Sequence, residues 1–171
     1  MRLSTRKIVI SGMLGSVAVL LGATGLGFIP VPTPAGHATI MHVPAILGGV
    51  IEGPVVGLLV GLIFGIFSFL RATNPLFADP LVAIIPRLFI GVFSYFAYQS
   101  TRKINQNFSL LFAGVVGTVT NTVLVLGLAV LRGYIPFSAA LPIAGVQGLP
   151  EAVLAAVLVA VVARAVMSMK D

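Results

Sequence analysis

The sequence predicts an all-α integral membrane protein, with six transmembrane helices forming one bundle over residues 1–171. Of its 171 residues, 58% are hydrophobic and only 8% are charged, whereas a soluble domain carries about 25% charged residues. The apolar residues form six runs separated by short polar or proline-rich segments, and one membrane span needs about 20 apolar residues. Lipid therefore has to cover most of the surface. Six spans take up about 120 residues, which leaves short loops and no room for a soluble domain.

The first half of the chain is expected to contain three helices. The run at residues 8–29 predicts a first helix that is retained as a span, because no signal-peptide cleavage site follows it. The segment at residues 30–36 is too rich in proline to be helical. Apolar sequence resumes at residues 40–51, which is short for a span unless the helix is tilted or ends inside the protein. A tight turn at residues 52–54 precedes a glycine-rich third helix at residues 55–70.

The second half predicts three longer spans. Residues 71–80 form a polar loop with prolines, and a fourth span follows at residues 81–98. The hydrophilic residues 99–107 precede a fifth span at residues 108–131, and a third irregular loop at residues 132–140 precedes the sixth span at residues 141–166. The two halves do not align as an internal repeat, which disfavours a secondary transporter built from inverted repeats.

The distribution of basic residues predicts the orientation. With the N-terminus inside, the cytoplasmic segments hold seven basic residues and the external segments two, which places both termini in the cytoplasm. The seven are Arg2, Arg6, Lys7, Arg102, Lys103, Arg164 and Lys170, and the two are Arg71 and Arg132. All three irregular loops then lie on the external face, where we expect them to form the mouth and lid of a pocket. The small, dispersed basic groups do not indicate nucleic-acid binding.

Polar residues inside the predicted spans are the first candidate site residues. A mid-helix arginine costs about 2.5–3.5 kcal/mol to insert, so Arg87 needs a partner or a wet cavity. Arg87 either contacts an anionic substrate group or pairs internally, with Glu151 as the obvious partner. Glu151, which follows Gln147 in one segment, is either a ligand or proton-relay group or that structural partner. Asn121 either contacts the ligand or joins helices through hydrogen bonds.

Polar residues in and beside the external loops are the second set of candidates. His37 and His42 are five residues apart with no carboxylate at a metal-binding spacing, so no metal site is predicted. These histidines and Thr39 either face the pocket as hydrogen-bond donors or anchor the first loop. Asn74 and Asp79, in the second external loop, are pocket candidates by position.

The first helix carries two overlapping pairs of small residues at a spacing of four. They are Ser11 with Gly15 and Gly12 with Ser16. Such pairs allow another helix to approach closely, either within the bundle or from a separate membrane subunit. The pattern leaves both alternatives open.

Motifs that would indicate an enzyme are missing from the sequence. It contains no Gly-x-Ser-x-Gly motif, no phosphate-binding loop, no closely paired carboxylates and no cysteine. The sequence therefore predicts neither catalysis nor a cofactor, and an ATP-driven process would require another polypeptide.

Several segments, in this order and spacing, resemble the substrate-specific (S) components of energy-coupling-factor (ECF) transporters. They are residues 37–44 (His-Ala-Thr-Ile-Met-His-Val-Pro), residues 51–57, residues 64–68, residues 74–76, residues 80–82, residues 86–91 (Pro-Arg-Leu-Phe-Ile-Gly) and residues 117–122 (Gly-Thr-Val-Thr-Asn-Thr). The similarity extends over essentially the whole chain. It is nearest to the branch that contains pantothenate, pyridoxine and hydroxymethylpyrimidine subunits.

The resemblance implies a six-helix protein of the bacterial cytoplasmic membrane that binds one vitamin in an external pocket. The first loop and the loops after spans three and five would close this pocket. The family associates with a transmembrane coupling subunit and two ATPase subunits. Its docking signature in the first helix is two alanines four residues apart, where this chain has the small pairs described above.

The aromatic content suggests the cargo. The chain has no tryptophan and three tyrosines, whereas a flat aromatic vitamin favours stacking partners. We therefore expect a small, flexible, acidic vitamin such as pantothenate, with its carboxylate at Arg87 and its hydroxyls and amide at His37, Thr39, Asn74 or Asn121. Pyridoxine, stacked on phenylalanines, is the alternative cargo.

Two other functions remain open. One is a stand-alone transporter that uses Glu151 as a proton carrier, and the other is a non-transporting subunit that assembles or regulates a membrane complex.

Overall fold

The computed structural model describes residues 4–30, 37–72 and 74–169, with residues 29, 30, 37 and 38 described by their backbone alone. Three predictions lie outside these described parts. They concern the proline-rich residues 31–36, the side chain of His37, and the charged termini at residues 1–3 and 170–171.

Six helices and one short antiparallel hairpin make up the described structure. In chain order they are α1 (Thr5–Thr24), β1 (Phe28–Pro30), β2 (His37–Thr39), α2 (Val43–Glu52), α3 (Pro54–Leu70), α4 (Pro80–Thr101), α5 (Gln106–Leu131) and α6 (Phe137–Ser168). The predicted all-helical class and the number of helices are confirmed, and the hairpin is an addition to them. Four of these helices, α1, α4, α5 and α6, are long and apolar enough to cross a membrane.

The first helix ends earlier than predicted. Residues 25–29 were expected to continue it, but Gly25 adopts a left-handed conformation with φ 78° and caps α1. Two residues further, the Gly27 N–H donates to the Leu21 carbonyl, and the Gly27 carbonyl accepts from Ile40 N–H. The remaining apolar residues turn back as β1, whose Phe28 pairs with Thr39 of β2. Hydropathy alone therefore does not reveal where α1 ends, because the residues on both sides of the turn at Gly25 are apolar.

The second helix is short and central. With ten residues it is about 15 Å long, which is half the thickness of a bilayer core. Every residue from Val43 to Val50 is buried, and α2 packs against the five other helices. Its neighbours, rather than lipid, therefore cover it. At its end Gly53, with φ 103°, makes the predicted tight turn into α3.

Glycines bring the backbones of α2, α3 and α4 into contact. A Cβ placed on Gly91 of α4 would lie 2.5 Å from the Ala45 carbonyl oxygen and 2.5 Å from the Gly57 Cα. A Cβ on Gly49 of α2 would meet the carbonyl oxygen of Gly91. Because lipid is as apolar as a leucine side chain, helices in a membrane associate through such close packing rather than through the hydrophobic effect. This glycine crossing (Gly49, Gly57 and Gly91) therefore fixes where α4 lies.

Polar contacts join the helices at one end of the bundle. There Arg6 forms an ion pair of 2.7 Å with Glu52, and Tyr98 contacts Met167. This end also carries Lys7, Arg102, Lys103 and Arg164, and we call it the basic end. The hairpin and the loops that follow α3 and α5 lie at the other end, which we call the loop end.

Gly91→Ala is expected to lower the free energy of unfolding by about 1–3 kcal/mol, because the added methyl group meets backbone atoms that cannot rotate away. Gly127→Ala in α5 is the matched control, since a Cβ there has no neighbour within 4 Å. Thermal unfolding of both variants in one detergent measures the difference. Equal stability of the two variants would contradict the glycine crossing.

Candidate functional site

A cavity of about 540 Å³ opens at the loop end of the bundle. It lies between the end of α1, the hairpin, the end of α3, the loop after α3 and the first half of α4. Its lining residues are Gly22, Gly25, Phe28, Thr39, Met41, Phe64, Phe67, Ser68, Arg71, Ala72, Phe77 and Arg87. A volume of this size suits a small organic ligand.

Four of the twelve residues that line the cavity are phenylalanines. Phe64 and Phe67 come from α3, Phe77 from the loop that follows it, and Phe28 from β1. The lining positions 64, 67, 68 and 71, on α3 and its C-cap, recur every three or four residues, which is the repeat of one helical face. The cavity therefore presents apolar ring surfaces to a ligand, together with polar side chains at four of the lining positions.

Arg87 is the buried cation of this cavity, with 4% of its surface exposed. Pro86 precedes it and has no N–H, so the Val82 carbonyl one turn earlier lacks its usual helical donor. The Arg87 Nη1 donates to that carbonyl at 2.7 Å. The guanidinium carbon lies 5.4 Å from the ring centre of Phe64 and 4.9 Å from that of Phe77, within the range of cation–π attraction. The Arg87 Nε has no described hydrogen-bond partner.

Glu151 connects α6 to the hairpin instead of pairing with Arg87. Its Oε1 accepts the backbone N–H of Thr39 at 2.7 Å, and 4% of its surface is exposed. The ion pairs among the described residues are Arg6–Glu52 and Arg132–Asp79. Arg87 and Glu151 therefore make separate contacts, and the carboxylate holds β2 at the edge of the cavity.

A buried hydrogen-bond chain lies behind the cavity. The Thr118 hydroxyl donates to the Gly114 carbonyl at 3.0 Å, so its oxygen accepts from His42 Nε2 at 2.8 Å. The other ring nitrogen of His42, Nδ1, has no described hydrogen-bond partner. Asn121, 6% exposed, also has a buried side-chain oxygen without a described partner.

Asp79 joins the loop after α3 to the loop after α5. Its Oδ1 caps α4 by accepting the Leu81 N–H at 2.9 Å, and its Oδ2 accepts from Arg132 Nε at 2.6 Å and the Tyr134 hydroxyl at 3.3 Å. The hydrogen bond from Arg132 lowers the pKa of this carboxyl below its usual value. Asn74 is exposed, and its side-chain oxygen accepts the Leu76 N–H within its own loop.

The predicted site residues thus divide into groups. Of the nine candidates, Thr39 and Arg87 line the cavity. Three others, Asn121, Gln147 and Glu151, lie in α5 and α6, and Gln147 is half-buried. His42 is the buried residue that immediately precedes α2. Asn74 and Asp79 take part in loop contacts. Among the described residues no cluster of three or more His, Cys, Asp or Glu side chains is placed to hold a metal ion.

The phenylalanines of α3, Met41, Ser68 and Arg71 line the cavity although sequence reasoning did not select them. The three-or-four-residue repeat of Phe64, Phe67, Ser68 and Arg71 was visible in the sequence, and residues 64–68 were already noted for their resemblance to S components. We expected this end of α3 to lie on the external face. The repeat could therefore have predicted which side of the helix lines the cavity.

The two small-residue pairs of α1 point in different directions. Ser11 and Gly15 are buried, and a Cβ on Gly15 would lie 2.5 Å from the Cδ1 of Ile63 in α3. Gly12 and Ser16 are exposed, and a Cβ on Gly12 has no neighbour within 4 Å. The first pair therefore packs inside the bundle, and the second lies on its outer surface.

Comparison with known families agrees with this architecture. The family model described as "ECF transporter, substrate-specific component" matches residues 6–163. The chain belongs to this family. The predicted resemblance to S components is therefore confirmed, and so is the prediction of a transport component rather than an enzyme.

Two named relatives and one solved structure are similar to this chain. The pantothenic acid transporter PanT of Lactococcus lactis subsp. cremoris (strain MG1363) is 32% identical over 108 residues, covering 52% of this chain and 54% of PanT. This match thus spans about half the length of that relative. The biotin transporter BioY of Rhizobium etli (strain ATCC 51251 / DSM 11541 / JCM 21823 / NBRC 15573 / CFN 42) is 30% identical over 186 aligned positions, covering 96% of this chain and 95% of BioY.

A solved structure described as "Structure and mechanism of the S component of a bacterial ECF transporter" superposes with a TM-score of 0.59. It is 18% identical and covers 96% of this chain and 94% of that one. At this identity the match supports the fold of the S component, a multi-pass membrane protein.

Asp79→Asn is expected to lower the melting temperature of this S component, because asparagine keeps the α4 cap but removes the charge that faces Arg132. A carboxyl with a lowered folded-state pKa contributes stability above its unfolded pKa and loses it as the pH falls through the folded value. The difference in melting temperature between wild type and variant should therefore be constant near neutral pH and shrink below the ordinary value of 3.8. A difference that persists in strong acid would contradict the ion pair.

Proposed function

We propose that this S component captures a small vitamin that carries a carboxylate, with pantothenate favoured, in the cavity at the loop end. The observation that carries the proposal is the position of Arg87, a buried guanidinium on the wall of a largely apolar cavity that contains four phenylalanines. The loop end faces the outside of the bacterial cytoplasmic membrane. Uptake then requires a transmembrane coupling subunit and two ATPase subunits.

The charge and shape of the cavity support an acidic cargo. Arg87 and Arg71 are the charged residues of its lining, so the site favours an anion over a cationic vitamin. The buried Nε of Arg87 provides an N–H donor without a described partner, and a charge-assisted hydrogen bond to a carboxylate is about twice as strong as a neutral one. Thr39 adds a polar contact at the hairpin side.

Biotin is the second candidate cargo. The relative that matches nearly the whole length of the chain is named a biotin transporter, and biotin, like pantothenate, is a carboxylic acid. The four phenylalanines that line the cavity suit the apolar parts of either molecule. In this proposal the carboxylate of either vitamin contacts Arg87. Pyridoxine, which has no carboxylate, is the alternative cargo because its ring can stack on the phenylalanines.

The hairpin serves as the lid of the cavity. Phe28 of β1 and Thr39 of β2 both line it, and the bond from Thr39 to Glu151 holds the hairpin against α6. Asp79 and Arg132 join the two other loops beside it. In this proposal Glu151 positions the lid and is not a proton carrier, while His42 and Asn121 shape the polar layer behind the cargo.

The distribution of charge supports the membrane orientation. Five described basic residues, Arg6, Lys7, Arg102, Lys103 and Arg164, belong to the basic end, against Arg71 and Arg132 at the loop end. The positive-inside rule therefore favours a cytoplasmic basic end. All six helices lie in the membrane. The short α2 does not have to cross it completely, because the other helices and not lipid surround it.

The exposed pair Gly12 and Ser16 is the proposed docking face for the coupling subunit. Both residues lie on the outer surface of α1, and the space beside Gly12 allows a second helix to approach its backbone closely. Ser11 and Gly15 are buried in the bundle, with Gly15 against Ile63 of α3, and they contribute to docking only indirectly.

Arg87→Gln is expected to reduce affinity for the bound vitamin at least about tenfold, the cost of losing one charged hydrogen bond. A ligand that binds the folded state raises the melting temperature, so a panel of pantothenate, biotin, pyridoxine, thiamine and riboflavin identifies the cargo in detergent. Titration of the responding vitamin then compares wild type with the variant. Arg87→Lys, which keeps the charge, should lose less.

Arg164→Gln is the control for this measurement, since Arg164 is an exposed residue of the basic end. An unchanged response in Arg87→Gln would keep the capture function and reject Arg87 as its anchor. No response to any vitamin from folded wild-type protein would reject the capture function itself.

Gly12→Leu is expected to abolish co-purification with the coupling subunit while leaving vitamin binding intact. Gly12 lies on the exposed face of α1, and a Cβ there has no neighbour within 4 Å. Gly127→Leu is the matched control on α5, where a Cβ also has no neighbour within 4 Å. Retained assembly in the Gly12 variant, or equal loss in the control, would reject this docking face.

A further inference from the structure

A second cleft, of about 430 Å³, lies at the basic end, away from the vitamin cavity. Its floor is the turn between α2 and α3, at Glu52 and Gly53. Lys7 of α1 lines one side, and Tyr98 and Arg102 of α4 line the other. We call it the basic-end cleft. Nothing in the capture of a vitamin at the opposite end uses it.

The cleft has an excess of positive charge. Glu52 is its acidic residue, and Oε1 of Glu52 is paired with Arg6 Nη2 at 2.7 Å. Neither Lys7 nor Arg102 belongs to an ion pair with a described carboxylate. Three basic groups therefore surround one carboxylate, and the two lining cations favour an anion between them.

The inner wall of the cleft offers a buried hydroxyl donor. Tyr98 is 8% exposed, and its hydroxyl donates to the Sδ of Met167 at 3.9 Å. A thioether sulfur is a weak acceptor, so an oxygen of an anionic ligand would be a stronger partner for this hydroxyl. Gln99 and Tyr95 add polar groups to the same wall.

The surroundings of the cleft are those of a membrane surface. Phe96, next to Tyr95 on α4, is 57% exposed. This helix thus presents an apolar side chain beside the polar residues of the cleft, as lipid tails lie next to headgroups. Tyrosine is enriched at this level of the bilayer, and basic clusters at the cytoplasmic surface attract anionic lipids.

We propose that the basic-end cleft binds the phosphodiester headgroup of an anionic phospholipid, with Lys7 and Arg102 as the charged ligands and Tyr98 as an inner hydroxyl donor. The exposed apolar side chain of α4 favours a lipid over an acidic side chain of a partner subunit, which would need no such surface. The proposal is independent of the identity of the vitamin.

Native mass spectrometry of the full chain with added phosphatidylglycerol or phosphatidylcholine tests the proposal. Wild type should bind phosphatidylglycerol more tightly than phosphatidylcholine. The double variant Lys7→Gln/Arg102→Gln should lose about tenfold or more of the phosphatidylglycerol affinity, because each basic residue near a membrane surface contributes appreciably to anionic-lipid binding. Tyr98→Phe, which removes the hydroxyl alone, should lose about threefold.

The matched control is Lys103→Gln/Arg164→Gln, which removes the same charge from exposed positions outside the cleft. Its phosphatidylglycerol affinity should equal that of wild type, and every variant should keep its vitamin-induced rise in melting temperature. Equal loss in the two double variants, or no preference for the anionic lipid, would overturn the site.

Competition with sn-glycerol 1-phosphate separates the two sources of a phosphate group. Weak competition is expected, because the lipid tails contribute to binding. Competition at the same concentration as the lipid would overturn the lipid assignment in favour of a soluble phosphate. A defect of Lys7→Gln/Arg102→Gln in subunit assembly, with lipid affinity unchanged, would overturn it in favour of an acidic partner.

Discussion

The close contact of three glycines, Gly49, Gly57 and Gly91, is the constraint on which the rest of this molecule depends. In a bilayer no hydrophobic effect drives helices together, so the backbone of α4 reaches α2 and α3 only where side chains are missing. One turn along, a Cβ on Gly61 would meet the carbonyl oxygen of Arg87. The same packing that places α4 therefore places its arginine beside Phe64 of α3.

The buried guanidinium of Arg87 is tolerated there because contacts with the protein replace the water that it loses on burial. Pro86 leaves a carbonyl free, and Arg87 donates to it. The aromatic faces of Phe64 and Phe77 attract the guanidinium from two directions. Glu151 is held separately by the Thr39 N–H. Because Arg87 and Glu151 form no ion-pair contact, the Nε–H of the arginine has no described partner, and the carboxylate of Glu151 holds the hairpin.

Much of the fold follows from the sequence, because a low charged fraction and six apolar runs leave few alternatives. The hairpin was missed because Phe28 and Ile29 are as apolar as the helix before them, and the change at Gly25 depends on backbone conformation. The overlapping pairs of α1 were indistinguishable because residues 11, 12, 15 and 16 cover adjacent faces. Only the packing of Gly15 against Ile63 separates the inward pair from the outward pair.

The site was less accessible to sequence reasoning than the fold. Arg87 stands out as a charge in an apolar run, but its neighbours come from α3 and from the following loop, whose meeting depends on the helix crossing. Asp79 was a pocket candidate by position, yet its contact with Arg132 joins loops 53 residues apart in the chain. From one sequence alone, a polar side chain that pairs with a distant residue cannot be distinguished from one that binds a ligand.

The most direct test of the central claim is uptake of labelled pantothenate and biotin into proteoliposomes that contain this chain, with and without a coupling subunit and two ATPase subunits. The account predicts that the chain alone binds one vitamin without accumulating it, and that accumulation requires the partner subunits and internal ATP. Accumulation by the chain alone, abolished by a protonophore and indifferent to ATP, would contradict it.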